Sequence, residues 1–233
     1  EVKVDAILDR LDLRSGTRLL EIGCGWGALA ERAVERHDVL YTGITLSPSQ
    51  AEVAEARLQA VDLSGRSRVE ICDYRDAKGP YDAIASVEMV EAVGQAYWPA
   101  YLDAIAGLLR PGGRAAIQYI LINDALFERY AASSDFIQAY IFPGGCLISE
   151  SRFRALAEAR GLAWRDVQRF GRDYAETLRQ WRERFDAAVA ADQLPSGFDA
   201  RFVRLWRYYL QYCEGGFRGG GIDVAQVTLE KTA

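Results

Sequence analysis

Residues 21–27 read Glu-Ile-Gly-Cys-Gly-Trp-Gly and lie between an apolar run and an amphipathic one. Glycines at 23, 25 and 27 give a GxGxG spacing behind the acidic Glu21, and glycine lets the backbone at a strand-to-helix turn come close to a nucleotide-like ligand. The spacing differs from the GxGxxG of dinucleotide folds, and the acid that a nicotinamide ribose would need at the end of the second strand is missing. That strand runs instead into Gly43-Ile44-Thr45-Leu46-Ser47, with Gln50 in the next helical turn. The neutral hydroxyl and amide groups of Thr45, Ser47 and Gln50 must then hydrogen-bond whatever lies there, and S-adenosylmethionine offers suitable ribose and amino acid groups. The competing reading is a glycine turn needed only for tight strand-to-helix packing; the place of the loop, directly after the first strand, favours a cofactor.

A loop of this kind needs a parallel sheet to hold it, and the chain has that rhythm. Apolar runs at 17–23, 39–45, 67–72, 81–87 and 113–122 alternate with helix-like stretches at 28–37, 51–61 and about 97–109, which is a βαβα pattern with five candidate strands by Ile122. A turn at Arg110–Gly113 separates helix from strand. Residues 123–149, aromatic and carrying the turn Phe-Pro-Gly-Gly, are predicted to be irregular; they are long for a connection and suit a lid or substrate insertion. Beyond them come a helix at 150–160, a strand at 162–170 and a helix starting near Tyr174. A further helix carries Phe202, Leu205, Trp206, Tyr209 and Cys213 at helical spacing, and a last strand covers 221–231. No internal repeat or linker interrupts residues 1–233, which are expected to form a single domain opening on an amphipathic helix at 1–10.

Composition narrows the partners. The net charge of −5 gives no general attraction to phosphate backbones, so nucleic acid is not expected. Four scattered cysteines and one histidine suggest neither a disulfide framework nor a metal site. No apolar stretch reaches the roughly 18 residues of a membrane span, and the first residues lack the pattern of a secretory signal, so a cytoplasmic location is expected.

The segments LLEIGCGWG, TLSPSQ, SVEMVEAVG, YIFPGG, DYAETLRQW and FRGGGIDVAQVTLEK together resemble the cyclopropane-fatty-acyl-phospholipid synthase and mycolic acid cyclopropane synthase family, over essentially the whole chain. The resemblance implies an α/β, Rossmann-like class I methyltransferase fold, a seven-stranded and mostly parallel sheet with helices on both faces. It implies methyl transfer from S-adenosylmethionine to the cis double bond of an unsaturated acyl chain in a phospholipid, met at the membrane surface by a peripheral enzyme. By motif match Gly23 and Gly25 contact the cofactor's amino acid part, Thr45 and Gln50 its ribose or carboxylate side, and Asp73 with Tyr74 the adenine; Glu21 and Ser47 are expected to bind the cofactor with them. For Asp73 a solvated turn is the alternative.

Methyl transfer to an alkene leaves a carbocation, so positive charge must be stabilised and a proton removed. In the family a bicarbonate ion is that base, and its site is implied here at Glu91, Gln118, the main chain of Ile120, and Tyr174. A helix-start charge is the alternative for Glu91. Gln118 stands where cyclopropane synthases carry histidine, and Ala92 where they carry the histidine of EHxG; a neutral amide cannot become cationic, so a cyclopropane and a methylene product stand side by side. Glutamine-type members resemble enzymes that make the methylene precursor of tuberculostearic acid, for which a reductase partner follows. The family's upstream segment, with a cysteine of the anion site, is not represented. A homo-oligomer, a small-molecule methyltransferase on the same fold, and a cofactor-binding module without activity are the other readings kept.

Overall fold

Runs of Leu, Ile, Val and Tyr too short for helices become strands in the computed structural model, which describes residues 1–61 and 65–232. The first half contains α1 (Val2–Asp9), β1 (Arg18–Ile22), α2 (Ala28–His37), β2 (Leu40–Thr45), α3 (Pro48–Val61), β3 (Arg68–Ile71), β4 (Tyr81–Val87) and α4 (Trp98–Leu108). Then follow β5 (Leu109–Ile122), α5 (Asp124–Ala131), α6 (Phe136–Tyr140), β6 (Ile148–Ser149), α7 (Glu150–Glu158), β7 (Leu162–Arg169), α8 (Gly171–Ala190), α9 (Ala200–Arg218) and β8 (Ile222–Lys231). Two 3-10 turns, Val90–Ala92 and Gln95–Tyr97, join β4 to α4. Each strand and helix expected from the sequence is present.

Seven long strands run in the order β3-β2-β1-β4-β5-β8-β7, with the two-residue β6 paired to β5. From β3 to β5 neighbours are parallel, in a register that sets Leu20 beside both Thr42 and Ile84. Because β2 and β4 flank β1, the chain leaves β1 to one side and returns on the other, and the carboxyl ends of these strands open a crevice at that switch point. The expected turn at Arg110–Gly113 lies inside β5: Leu109 pairs with Tyr81 and Arg114 with Ala83, so four residues loop out of the ladder there.

The chain forms two compact units. The first comprises residues 1–119, 151–168 and 226 onward, and the second 120–150 and 169–225. In the first, Ile7, Leu8, Leu19, Leu29, Tyr41, Ala54, Leu58 and Ala85 form one buried cluster. A second cluster there is aromatic: Phe153 meets Trp98, Tyr101, Tyr119 and Trp164 at ring separations of 5.8–6.4 Å. In the second unit Ala175, Leu178, Leu210, Phe217 and Val224 are buried, with Trp206, Tyr209 and Cys213 half-buried around them, as the spacing in α9 predicts.

The segment 123–149 departs from its expected irregularity, because local side chains cap two helices that its composition hides. Asn123 accepts from the Ala125 N–H at 3.0 Å to start α5. Asp135 and Gln138 bond reciprocally at 3.0 Å to start α6, and the Tyr130 hydroxyl accepts from the Leu147 N–H at 3.0 Å. Replacing Asp135 by Ala is expected to cost about 1 kcal/mol locally. Amide exchange over 136–140 should accelerate several-fold, and unchanged exchange would remove the capping box as the cause of the order.

Candidate functional site

The glycine loop folds over the end of β1 because glycine accepts left-handed backbone: φ is 80° at Gly23, 52° at Gly25 and 82° at Gly27. The N–H groups of Gly23 and Cys24 both reach the Ile44 carbonyl at 3.0 Å, tying the loop to β2. A Cβ at Gly23 would come within 2.9 Å of the Met89 side chain and one at Gly27 within 2.8 Å of the Ala54 backbone, whereas Gly25 faces open space. Beside this loop lies a cavity of about 650 Å³ lined by Gly23, Thr45, Ser47, Gln50, Asp73 and Tyr74, with Ile22, Ile44, Met89 and Val93 among its apolar walls. Six residues singled out from three separate sequence segments thus share one cavity.

Gly25, in the loop itself, and Glu21 are not among the lining residues, and Glu21 is turned away from the cavity. Glu21 is 3% exposed and accepts a short hydrogen bond from the Tyr41 hydroxyl. Burial pushes its carboxyl up to about 8, against the opposing pull of the Tyr41 bond. The expectation of a cofactor contact by this side chain is therefore corrected: alternation along β1 turns Glu21 with Leu19 toward the core, and Ile22 toward the cavity.

The polar lining is pre-arranged. The Thr45 hydroxyl donates to the Gln50 amide oxygen at 2.9 Å, leaving the Gln50 NH₂ as the donor that side chain can offer a ligand. Ser47 accepts from the Gln50 N–H at 3.3 Å and so caps α3, with Pro48 at its first position. Asp73 accepts from the Arg75 guanidinium at 2.9 and 2.7 Å and from the Arg75 N–H at 2.9 Å, which holds its carboxyl down at about 2. Tyr74 stands edge-on to buried Tyr101 at 5.6 Å. Sequence reasoning missed Arg75, Met89 and Val93. The last two sit within SVEMVEAVG, where attention fell on Glu91.

Of the residues assigned to an anion site, Glu91 lies half-buried in the 3-10 turn Val90–Ala92, whose neighbours Met89, Ala92 and Val93 line the cavity. Gln118 is fully buried, and its side-chain amide donates to Glu88 at 2.5 Å and accepts from Gln226 at 3.0 Å. Gln226 in turn meets the Lys3 carbonyl at 3.1 Å and Arg10 at 3.3 Å, and Arg10 reaches Gln168 at 3.2 Å. A polar seam thus crosses β4, β5, β8 and β7 under α1, and nothing in the sequence spacing pointed to it. Ile120 and Tyr174 belong to the second unit, half-buried around its core, with the Tyr174 ring 5.7 Å from Phe170 and 5.6 Å from Phe217.

Among the described residues no helix is long and apolar enough to cross a membrane. Comparison with known proteins fits the geometry. The chain is 43% identical over 229 residues to the tuberculostearic acid methyltransferase UfaA1 of Mycobacterium tuberculosis, covering 97% of this chain and 53% of that protein. It is 34% identical over 232 residues to the cyclopropane-fatty-acyl-phospholipid synthase of Escherichia coli K12, covering 99% of this chain and 58% of that protein. The chain therefore spans little more than half the length of these relatives. Its fold matches the crystal structure of the mycolic acid cyclopropane synthase CmaA1, solved with SAH and CTAB, at a TM-score of 0.85 and 32% identity, over 99% of this chain and 83% of that one. This is the class I methyltransferase fold, with helices on both sides of a mostly parallel sheet. Since the sequence pattern of that family runs through residues 1–227, the chain belongs to the mycolic acid cyclopropane synthetase family.

Proposed function

We propose that this chain is the S-adenosylmethionine-binding core of a C-methyltransferase acting on the cis double bond of a phospholipid acyl chain. The observation that carries the reading is the single cavity shared by Gly23, Thr45, Ser47, Gln50, Asp73 and Tyr74. Its volume of about 650 Å³ suits a cofactor of this size. Its chemistry fits as well: ionised Asp73 accepts from hydroxyls, Gln50 donates, Tyr74 gives an aromatic face, and Ile22, Ile44 and Val93 give apolar walls for a base. Bound there, S-adenosylmethionine supplies an electrophilic sulfonium methyl to the π electrons of the alkene.

What remains for the protein is to hold the acyl chain, stabilise the cation and accept a proton. The names of the relatives support a fatty-acyl lipid substrate, and the resemblance implies a cyclopropane or a methylene-branched product. Contact with a bilayer surface is supported by the second unit, which exposes Phe142, Trp181, Phe198, Tyr208 and Tyr212, with Arg201 and Arg204 on α9. For the proton, the resemblance implies bicarbonate held by Glu91, Gln118, Ile120 and Tyr174.

The cofactor reading is tested at Gly25. A valine there adds bulk where the structure is open and forces a β-branched residue to φ near 52°. Gly25→Val is expected to weaken binding of S-adenosylhomocysteine at least about 100-fold, roughly 2.7 kcal/mol, in calorimetry. A folded variant with unchanged affinity would remove the cofactor from this loop.

A further inference from the structure

Glu88 closes the polar seam at the corner where β4 turns toward the cavity. Its φ of 52° lies in the left-handed region that non-glycine residues seldom adopt and that persists where surrounding structure holds it. The hold is visible: the Glu88 N–H donates to the Gln118 carbonyl at 2.8 Å, its carboxylate accepts from the Gln118 amide at 2.5 Å, and Lys3 pairs with it at 3.3 Å. Met89, the next residue, lines the cavity and lies against Gly23. Gln226 donates to the Gln118 amide oxygen at 3.0 Å, so the orientation of Gln118 is set, with its NH₂ directed to Glu88.

An anion brought to that NH₂ meets a carboxylate already there. Two unit charges about 4 Å apart repel by about 1 kcal/mol in water and about 4 kcal/mol at an effective dielectric near 20, and Glu91, three residues on, adds a second negative group. The chain itself thus supplies the carboxylate oxygen that bicarbonate would bring. We infer that Glu88 is a catalytic base of this protein, in place of a bound bicarbonate ion; the inference rests on the methyltransferase reading above. After methyl transfer a C–H bond of the transferred methyl breaks. Its electron pair closes a ring onto the cationic carbon or, once a 1,2-hydride shift has moved the cation to the methyl-bearing carbon, forms the methylene double bond, and the proton passes to the Glu88 carboxylate. The side chain is 32% exposed, so the resulting carboxylic acid returns its proton to water.

The test uses the full-length protein, an oleoyl phospholipid, and buffers stripped of carbon dioxide or supplied with millimolar bicarbonate. Wild-type turnover is expected to be the same in both. Glu88→Gly suits the left-handed corner and opens a space for an anion. It should bind S-adenosylhomocysteine within about twofold of wild type, lose turnover by about 100-fold in stripped buffer, and regain it with bicarbonate or formate. With substrate-free protein, ¹³C NMR of labelled bicarbonate should show a bound signal for Glu88→Gly and none for wild type. Wild-type turnover that needs bicarbonate, a bound signal in wild type, or full turnover of Glu88→Gly in stripped buffer would each overturn the assignment. Absence of any methyl transfer by wild type would instead sink the functional reading, and the NMR measurement would still decide whether Glu88 stands in the anion's place.

Discussion

Raising the pH from about 4.5 to about 8 is expected to weaken the fold progressively, because Glu21 enters the core protonated. Burial pushes its folded carboxyl up to about 8 from an ordinary 4.5, so between those values the native state holds a proton that the unfolded chain has lost. Stability from this group is fully present below about 4.5, falls through the window, and is lost once the pH passes about 8. At 1.36 kcal/mol per unit the loss is on the order of a few kcal/mol, a large share of a typical domain's stability. Urea midpoints at the two ends of the window measure it, and Glu21→Gln, which cannot ionise, should flatten the slope. A wild-type midpoint that stays level would remove the buried, protonated Glu21. Tyr41→Phe removes the hydroxyl that favours the ionised form, so the decline should extend to higher pH. Gly43 makes the couple possible: a Cβ there would lie 2.5 Å from the Tyr41 hydroxyl and 2.9 Å from Cys24.

This couple also marks where sequence reading reached its limit. The alternation of apolar runs and amphipathic stretches carried the sheet, since a run such as LYTGIT, bounded by turns, has one use in a βαβ chain. That Gly23, Thr45, Ser47, Gln50 and Asp73 share a cavity was legible for a related reason: they sit at or just after strand ends, where an open α/β sheet opens its crevice. Glu21 was misread because proximity to a glycine loop does not reveal which face of a strand a side chain takes. Glu88 escaped notice because its partners, Gln118 and Lys3, are 30 and 85 residues distant, and its left-handed backbone leaves no trace in residue type. The helices of 124–140 were hidden for the opposite reason, being short and set by caps rather than by a long periodic pattern.

Replacing Glu91 by Gln is expected to leave S-adenosylhomocysteine affinity within about twofold and to lower turnover on an oleoyl phospholipid by about 10²–10³-fold. Glu91 occupies a 3-10 turn whose neighbours Met89 and Ala92 line the cavity, and the proposed function places the developing cation beside that turn. On that proposal an ionised Glu91 would stabilise the cation without reorganising, and Gln keeps the shape while removing the charge. The bland alternative is a carboxylate that merely suits the start of a helical turn. In that case the substitution costs a few tenths of a kcal/mol of stability and leaves turnover intact. Measuring the melting temperature beside turnover separates the two: an unshifted melt with depressed turnover assigns Glu91 to the chemistry, and a small shift with full turnover assigns it to the turn. Lost turnover that returns with Glu91→Asp would add that the charge, more than its reach, is what the transition state uses.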